Sequence, residues 1–319
     1  MQTCEQTKME FIAARLRGRY RLALLSGKLR LARLPVVPAA FMSFGPHKTL
    51  LTLAAVFAVF ASTVSTQAQA AIKRYRFEEL ERIAQPRENF VQGLQIVGDR
   101  LYMGTGLYGS SRLLEYEFPS MELRREVDLP DELFGEGVTR LGNRIYQLTY
   151  RARKLLVYDA DTLENVGSAP ISTEGWGITF TPAGLVYSDG THRLFFLDPD
   201  SLRVVRTIEV TLNRQPLPRL NELEWINGRI WANVWRSNQL VEINPETGAV
   251  EAIADLRGLL DPKLREEDTD VLNGIAWDSD AKQLWVTGKR WPFLYRVRLV
   301  DFDTPSLLRP GTQTPTRSP

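Results

Sequence analysis

The sequence predicts an all-β protein, a five-bladed β-propeller, and three observations lead to this prediction. A sequence unit of two or three short β-rich runs around a Gly or Asp turn returns about five times after Ala71. The second strands of these units are spaced by 44, 40, 45 and 54 residues, close to the length of one four-stranded blade. Five blades of that length need roughly 210 residues, and the stretch from Phe90 to Leu299 supplies them.

The strands of each repeat follow in chain order. The first strands occupy Phe90–Leu94, Phe134–Val138, Gly175–Thr179, Leu220–Glu224 and Val271–Ile275. The second strands begin at Arg100, Arg144, Gly184, Arg229 and Gln283. Third strands recur at Leu155–Asp159, Leu194–Asp198 and Leu240–Asn244, each before a turn sequence.

Two further segments complete the predicted ring. The long last spacing predicts an inserted loop over residues 258–270, which are polar and charged. Strand Lys73–Phe77 is expected to pair with the last repeat, because a propeller leaves no open edge when its two ends share a blade.

The N-terminal part predicts export. Residues 42–70 combine a short positive start, an apolar run from Leu50 to Ala61 and a small-x-small site at Ala68–Ala70, which is typical of a signal peptide. The run is shorter than the ~20 residues that span a bilayer, so a retained membrane anchor is the weaker alternative. We expect a periplasmic or secreted protein that is free of the membrane after cleavage. We interpret residues 1–41 as an over-extended gene model. Residues 71–302 are predicted to form the propeller, and residues 303–319 are predicted to form a disordered Pro/Thr-rich tail.

Charge and composition exclude several classes of function. Residues 1–70 carry nine Lys or Arg and two Glu, so their net charge of +7 leaves −5 for the remainder of a chain whose total is +2. A mildly acidic domain has no electrostatic basis for binding nucleic acid. Cys4 and His47 precede residue 71, which leaves His192 as the one His and no Cys for a zinc site or a catalytic triad.

The scarcity of His and Cys also determines which cofactors we expect. We expect no metal among the site residues, no required cofactor and a monomeric protein. A structural divalent cation held by carbonyl oxygens in the central channel stays open, because such ligands leave no trace in the sequence.

Candidate functional residues recur at matching places in the repeats. The start of each first strand lies at the central channel of a propeller, so polar and aromatic side chains there converge on one mouth. They are Phe90, Gln92, Phe134, Glu136, Trp176, Asn221, Glu222 and Asn273, and strand ends add Tyr150, Trp235 and Lys289. Buried carboxamides and carboxylates are costly unless they are hydrogen-bonded or functional. The residues alone leave two interpretations open, a ligand site and ties between neighbouring blades.

Nine short motifs extend this pattern over residues 75–299. They are Phe90–Leu94, Thr105–Gly109, Phe134–Gly137, Gly175–Gly177, Ser188–Gly190, Leu220–Glu224, Ala232–Trp235, Leu272–Ala276 and Val286–Pro292. In this order and spacing they resemble the glutamine cyclotransferase family, the plant and bacterial type of glutaminyl-peptide cyclotransferase. The resemblance implies a five-bladed propeller that converts the N-terminal glutamine of peptides and proteins to pyroglutamate and releases ammonia, by intramolecular aminolysis with a Glu proton shuttle.

The resemblance also implies roles for individual residues. Glu136 would transfer the proton. Gln92, Asn221 and Lys289 would be the polar groups around the substrate, with Lys289 or Asn221 donating to the oxyanion. Phe90, Phe134, Trp176 and Trp235 would wall the pocket. This chain departs from the family pattern at Tyr150, where Trp is usual, at Gly104, where Glu is common, and at Val91, where Thr is usual.

Two other classes of function stay open. One is a non-catalytic periplasmic propeller that binds peptides or glycans, since Trp and Tyr side chains serve stacking equally well. The other is a propeller hydrolase with a channel metal held by Asp, Asn and Glu. The aromatic and polar residues alone do not separate these from a cyclase.

Overall fold

The computed structural model describes residues 71–302, and this part of the chain is built from β-strands. Its one helical turn is a short 3-10 helix at Pro262–Leu264. The prediction of an all-β chain is confirmed for these residues. The predicted signal peptide (42–70), the segment before it (1–41) and the predicted tail (303–319) lie outside the described residues.

Strand β1 (Lys73–Ala84) is followed by three four-stranded antiparallel sheets, each formed by strands consecutive in the chain. The first comprises β2 (Val91–Val97), β3 (Arg100–Thr105), β4 (Arg112–Glu117) and β5 (Glu122–Asp128). The second comprises β6 (Gly135–Leu141), β7 (Arg144–Thr149), β8 (Lys154–Asp159) and β9 (Asn165–Pro170). The third comprises β10 (Ile178–Thr181), β11 (Gly184–Ser188), β12 (Arg193–Leu197) and β13 (Val204–Glu209), after which β14 (Thr211–Leu212) and β15 (Gln215–Pro216) form a small hairpin.

The remaining strands form one eight-stranded sheet that includes β1. In chain order they are β16 (Leu220–Ile226), β17 (Arg229–Val234), β18 (Gln239–Ile243), β19 (Val250–Asp255), β20 (Leu272–Asp278), β21 (Gln283–Gly288) and β22 (Phe293–Asp301). Across the sheet the order is β16-β17-β18-β19-β1-β22-β21-β20. The predicted pairing of the N-terminal strand with the last repeat is confirmed, because β1 runs antiparallel to β22 from Tyr75 to Ala84. The start of β1 also pairs with β19 in parallel, which the sequence did not indicate.

The first strands pack against one another in a closed order, β2 with β6, β6 with β10, β10 with β16, β16 with β20 and β20 with β2. Glycines permit this close approach. A Cβ on Gly93 would lie 2.3 Å from the Val138 backbone nitrogen, and one on Gly177 would lie 2.1 Å from the Asn221 carbonyl oxygen. The recurring Gly of the sequence motif is therefore a packing requirement between neighbouring first strands.

Burial explains why inner and outer strands differ in sequence. In β3 every residue from Leu101 to Thr105 is buried, since neighbouring sheets cover both of its faces. In β5 the residues are exposed or half-buried and mostly charged, which protects an edge strand from pairing with other chains. The apolar layer between the first sheet and the last includes Met103 and Leu294, so packing as well as hydrogen bonding closes the ring.

Candidate active site

The polar site residues lie at irregularities of the first strands. The pairing of β6 with β7 jumps from Gly135 to Val138, and that of β16 with β17 jumps from Leu220 to Leu223. Glu136 and Asn221 therefore lie in β-bulges, where two residues oppose one on the partner strand. Bulges re-aim side chains and occur beside active sites. Both side chains line the same cavity.

Of the eleven candidate residues, the structure brings nine to one cavity of about 190 Å³, and it adds Asp270 as a tenth lining residue. The other two candidates, Glu222 and Asn273, do not line this cavity. The lining residues are Phe90, Gln92, Phe134, Glu136, Tyr150, Trp176, Asn221, Trp235, Asp270 and Lys289. This volume is below the ~300–1,000 Å³ of pockets that enclose drug-sized ligands. The cavity therefore suits one amino-acid side chain, with the remainder of a larger ligand outside.

Glu136 is a buried carboxyl group without a hydrogen-bond partner among residues 71–302. Burial raises its pKa well above the ordinary value, the Lys289 ammonium opposes that rise, and Glu174 adds to it. A carboxyl that gives up water without gaining protein hydrogen bonds is costly for folding. Its hydrogen-bonding capacity is available to whatever enters the cavity.

Lys289 is the cation of the cavity. Burial lowers the pKa of its ammonium, while Glu136 and Asp270 oppose that shift. Its Nζ lies 4.8 Å from the centroid of the Phe90 ring, a cation–π contact, and it forms no ion pair within the described residues. All three N–H bonds of the ammonium thus remain free to donate to a ligand.

Five aromatic rings form a continuous wall. Neighbouring centroids are 6.3 Å apart for Phe90 and Phe134, 5.8 Å for Phe134 and Tyr150, 6.4 Å for Tyr150 and Trp176, and 5.4 Å for Trp176 and Trp235. Most of these pairs meet edge to face, the arrangement that the ring quadrupoles favour. Tyr150 is part of the wall although the family pattern has Trp at this position. Its hydroxyl oxygen accepts a long hydrogen bond, 3.5 Å, from the Arg151 guanidinium group.

Two glycines make room for these rings. Gly190 has a φ of +78°, and a Cβ there would lie 2.5 Å from the Trp176 ring. A Cβ on Gly106 would lie 2.3 Å from the Phe134 ring. The motifs Ser188–Gly190 and Thr105–Gly109 therefore contain glycines that pack directly against the rings of the wall.

The carboxamides of the site have different surroundings. The Asn221 Oδ1 is buried with no hydrogen-bond partner within residues 71–302. Gln92 accepts a long hydrogen bond, 3.4 Å, from the Asn273 side chain. Asn273 also donates to the Val91 carbonyl at 3.1 Å. Asn273 thus ties two sheets together through its Nδ2, although its Oδ1 is also without a partner within residues 71–302. Asn221 differs in that it lines the cavity.

The departure at Gly104 has a steric reason in this chain. A Cβ at that position would lie 2.4 Å from the Glu136 carbonyl oxygen and 3.2 Å from the Gln147 amide nitrogen. Any larger residue would displace the bulge that carries Glu136. The absence of a side chain at Gly104 therefore allows the Glu136 backbone to keep its position.

Sequence reasoning missed Asp270. It is the last residue of the predicted inserted loop, which the structure places between β19 and β20, and it lines the cavity beside Lys289. The loop has no counterpart in the other repeats, so comparing repeat positions gave no signal for it. The sequence did offer one indication, since Asp270 is a carboxylate that comes directly before the predicted first strand Val271–Ile275.

Within residues 71–302 no group of three or more His, Cys, Asp or Glu side chains could hold a metal ion. In the same range no helix has the length and apolar character needed to cross a membrane.

Three comparisons with known proteins agree on the family of this chain. The sequence profile described as Glutamine cyclotransferase matches residues 51–299. A curated protein from Arabidopsis thaliana named Glutaminyl-peptide cyclotransferase is 37% identical over 236 residues, which span 70% of this chain and 72% of that protein. The crystal structure of Myxococcus xanthus glutaminyl cyclase aligns with a TM-score of 0.68 at 30% identity, over 73% of this chain and 100% of that chain. Because the profile spans the whole ring of strands that builds the cavity, and a relative this similar shares most of its length, the chain belongs to the glutamine cyclotransferase family.

Proposed function

We propose that this protein is a glutaminyl-peptide cyclotransferase, an acyltransferase that converts an N-terminal glutamine to pyroglutamate and releases ammonia. The observation that carries the proposal is Glu136. It is a buried carboxyl group with a raised pKa and no hydrogen-bond partner among the described residues, at an aromatic cavity of the size of one side chain. Family membership supplies the reaction class, and the cavity supplies the groups that the reaction needs.

We also propose that the sheets form five blades. The three separate four-stranded sheets count as one blade each. The eight-stranded sheet counts as two, with β16 to β19 in one and β20 to β22 plus β1 in the other. The closed packing order of β2, β6, β10, β16 and β20 supports this count.

The first chemical requirement is a free amine. The substrate's α-amino group has a pKa near ~7.7, so much of it is an ammonium ion at neutral pH. Enclosure by Trp176 and Phe134 removes water from this ammonium and lowers its pKa, which frees the nitrogen lone pair. The walls also hold the glutamine side chain bent toward its own amine, which removes entropy that the uncatalysed reaction must lose.

The second requirement is proton transfer. The amine nitrogen attacks the side-chain amide carbon, forming the C–N bond of the five-membered ring. Glu136 takes the proton that the attacking nitrogen loses and returns it to the amide nitrogen. The former C–N bond then breaks and ammonia leaves. A general acid–base group of this kind contributes ~10²–10⁴-fold. Burial raises the pKa of Glu136, which favours its acting as a proton donor as well as an acceptor.

The third requirement is stabilisation of charge on the amide oxygen in the tetrahedral intermediate. The Lys289 ammonium is free of protein ion pairs in the described residues and shares the cavity with Glu136. The Asn221 carboxamide lines the same cavity. One such donor is worth ~3 kcal/mol in comparable sites. Because proton transfer and charge stabilisation both come from side chains, the proposed reaction requires no cofactor.

The test is an assay of the purified protein with Gln-initiated dipeptides. Ammonia and pyroglutamate should form in equal amounts, and the N-acetylated peptides should not react. Activity should persist after exhaustive chelation, because no step runs through a metal. Peptide binding without any ammonia release would support the alternative of a non-catalytic binding protein and remove the proposal.

We further propose that the protein acts outside the cytoplasm, in the periplasm or in a secreted form, on peptides and proteins with an N-terminal Gln. The support is the signal-peptide pattern of residues 42–70. N-terminal sequencing of the exported protein should give a start at or near Ala71. Recovery of residues 42–60 on membrane-bound protein would contradict this.

A further inference from the structure

Asp270 lines the cavity, and no step described so far uses it. It lies with Glu136 and Lys289 around the same space. Its backbone is held firmly for a loop residue. The Asp270 N–H donates to the Lys289 carbonyl at 3.1 Å, and the Asp270 carbonyl accepts from the Trp291 indole N–H at 3.1 Å. The loop therefore holds this carboxylate in one place.

Only one of the two Asp270 carboxylate oxygens accepts a hydrogen bond within residues 71–302. Its Oδ1 accepts the backbone N–H of Val271 at 2.8 Å. Its Oδ2 has no hydrogen-bond partner within residues 71–302. Asp270 is partly exposed and lines the cavity, so one carboxylate oxygen is anchored and the other is free to accept a hydrogen bond from a ligand.

The charges of the cavity indicate what that donor is. Lys289 supplies one positive charge, whereas Glu136 and Asp270 supply two negative charges once Glu136 is ionised. Ionised Glu136 is the form that acts as a base, and in that form the three groups sum to −1. The ligand that balances this sum is a cation, and a peptide with a free N-terminus brings its ammonium group.

We propose that Asp270 binds the α-amino group of the substrate and orients it for attack. The inference rests on the proposed cyclase function and gives that function a recognition residue. Oδ2 accepts one N–H of the ammonium group on arrival. Once the enclosed ammonium has lost its first proton to solvent, the amine keeps that hydrogen bond while its lone pair faces the amide carbon. Ionised Glu136 then takes the second proton, which the nitrogen releases as it attacks. The free amine is the feature that separates an N-terminal glutamine from an internal one, so Asp270 gives the site its preference for chain ends.

The test compares Asp270→Asn with the parent protein and with a matched control. Asn keeps the Oδ1 acceptor for the Val271 N–H but removes the charge. The control is Asp268→Asn, because Asp268 belongs to the same loop and pairs with Arg290 without lining the cavity. We expect KM for Gln-peptides to rise about 10-fold or more in Asp270→Asn. In Asp268→Asn it should stay within about twofold of the parent value.

The pH dependence separates amine recognition from a structural role. The increase in KM should be largest near pH 6, where the substrate is an ammonium ion, and should shrink toward pH 9, where it is a neutral amine. An increase that does not change with pH, or an equal effect in Asp268→Asn, would overturn the inference. Asp270→Glu should restore part of the affinity, because it restores the charge.

A binding measurement distinguishes this inference from the cyclase function itself. The probe is a dipeptide that begins with Met, which has a side chain of similar length but no amide to attack. Its dissociation constant should rise about 10-fold in Asp270→Asn, and its N-acetylated form should bind both proteins weakly. Normal turnover of Gln-peptides with an unchanged dissociation constant for the Met probe would refute the role of Asp270 and leave the cyclase proposal intact.

Discussion

Glu136 at the cavity and the pair Glu222 and Glu224 deeper in the ring are carboxyl groups of equal burial with opposite surroundings. All three have pKa values raised mainly by burial. Glu136 has no hydrogen-bond partner in the described residues, whereas Glu222 accepts the Ile275 N–H at 2.8 Å and the Leu94 N–H at 3.4 Å. Burial alone does not identify a functional carboxyl. The distinction lies in whether the protein has already used its hydrogen bonds.

The position of Glu222 explains its different use. It stands where the other repeats have a glycine at the ring of first strands, namely at Gly93, Gly137, Gly177 and Gly274. Its two carboxyl oxygens accept the Leu94 and Ile275 N–H groups and so join β16 to β2 and β20. Glu224 extends the same arrangement, accepting the Trp277 N–H at 2.9 Å and the Thr179 hydroxyl at 3.2 Å. These two residues act as struts, meaning buried side chains that join neighbouring sheets by hydrogen bonds. This agrees with the second interpretation that the sequence left open for Glu222, ties between neighbouring repeats.

The largest expected effect is from Glu222→Ala. The change leaves the Leu94 and Ile275 amides without an acceptor in a buried place, at about 1–3 kcal/mol each, and opens a cavity. The free energy of unfolding should fall by about 5 kcal/mol, as measured by urea denaturation. The kcat of the protein that remains folded should change less than threefold. A stable variant with lost turnover would reverse the assignment of strut and catalytic group.

Glu224→Gln should change how stability depends on pH. Burial raises the pKa of Glu224 to about 8, whereas an unfolded Glu titrates near ~4.3. Between these values the unfolded chain has released the proton that the folded chain keeps, so the free energy of unfolding falls as pH rises from about 4 to about 8.

Gln does not titrate and retains one acceptor and one donor. The variant should therefore lose most of that decline, which is on the order of 5 kcal/mol for ~3.7 pKa units at about 1.4 kcal/mol per unit. Melting curves from pH 4 to pH 9 measure it, with Glu246→Gln, an exposed carboxylate, as the control. Parallel curves for parent and Glu224→Gln would contradict a raised pKa at this strut.

Lys289→Ala should act on the cavity alone. Loss of the cation should lower kcat by about 100-fold, since one oxyanion donor is worth ~3 kcal/mol. The Lys289 ammonium also lowers the pKa of Glu136. Without it Glu136 stays protonated to higher pH, so the acid limb of the kcat profile should move to higher pH. An acid limb that stays in place would separate Lys289 from Glu136.

Trp176→Ala should have the smallest effect of the four. It removes one ring from the wall and leaves Glu136 in its bulge, so KM for Gln-peptides should rise about 10-fold with kcat within about threefold. Tyr150→Trp, which restores the usual family residue, should change both parameters less than twofold. A fall in kcat that exceeds the rise in KM for Trp176→Ala would mean that the wall positions the reacting groups as well as binding the substrate.

The repeat pattern explains why so much of the cavity was predictable. Because each repeat places its first strand alike, residues at matching repeat positions, such as Gln92, Glu136 and Asn221, were expected to converge. The bulges were not predictable, since an extra residue opposite a partner strand depends on register and leaves no motif of its own. Asp270 lies in the unrepeated loop, and Glu222 looks like a site residue until its hydrogen bonds are known. The parallel pairing of β1 with β19 depends on where the two ends of the chain meet.

The most direct test of the distinction between the two regions is a side-by-side measurement of Glu136→Gln and Glu222→Gln. Gln keeps the shape of each side chain but cannot accept a proton as a base, and at position 222 it places an N–H donor against a backbone N–H. We predict that Glu136→Gln loses at least about 100-fold in kcat with an unchanged melting temperature. Glu222→Gln should lose stability and keep kcat within about threefold. A fully folded Glu136→Gln protein that cyclises Gln-peptides at the parental rate would contradict the account.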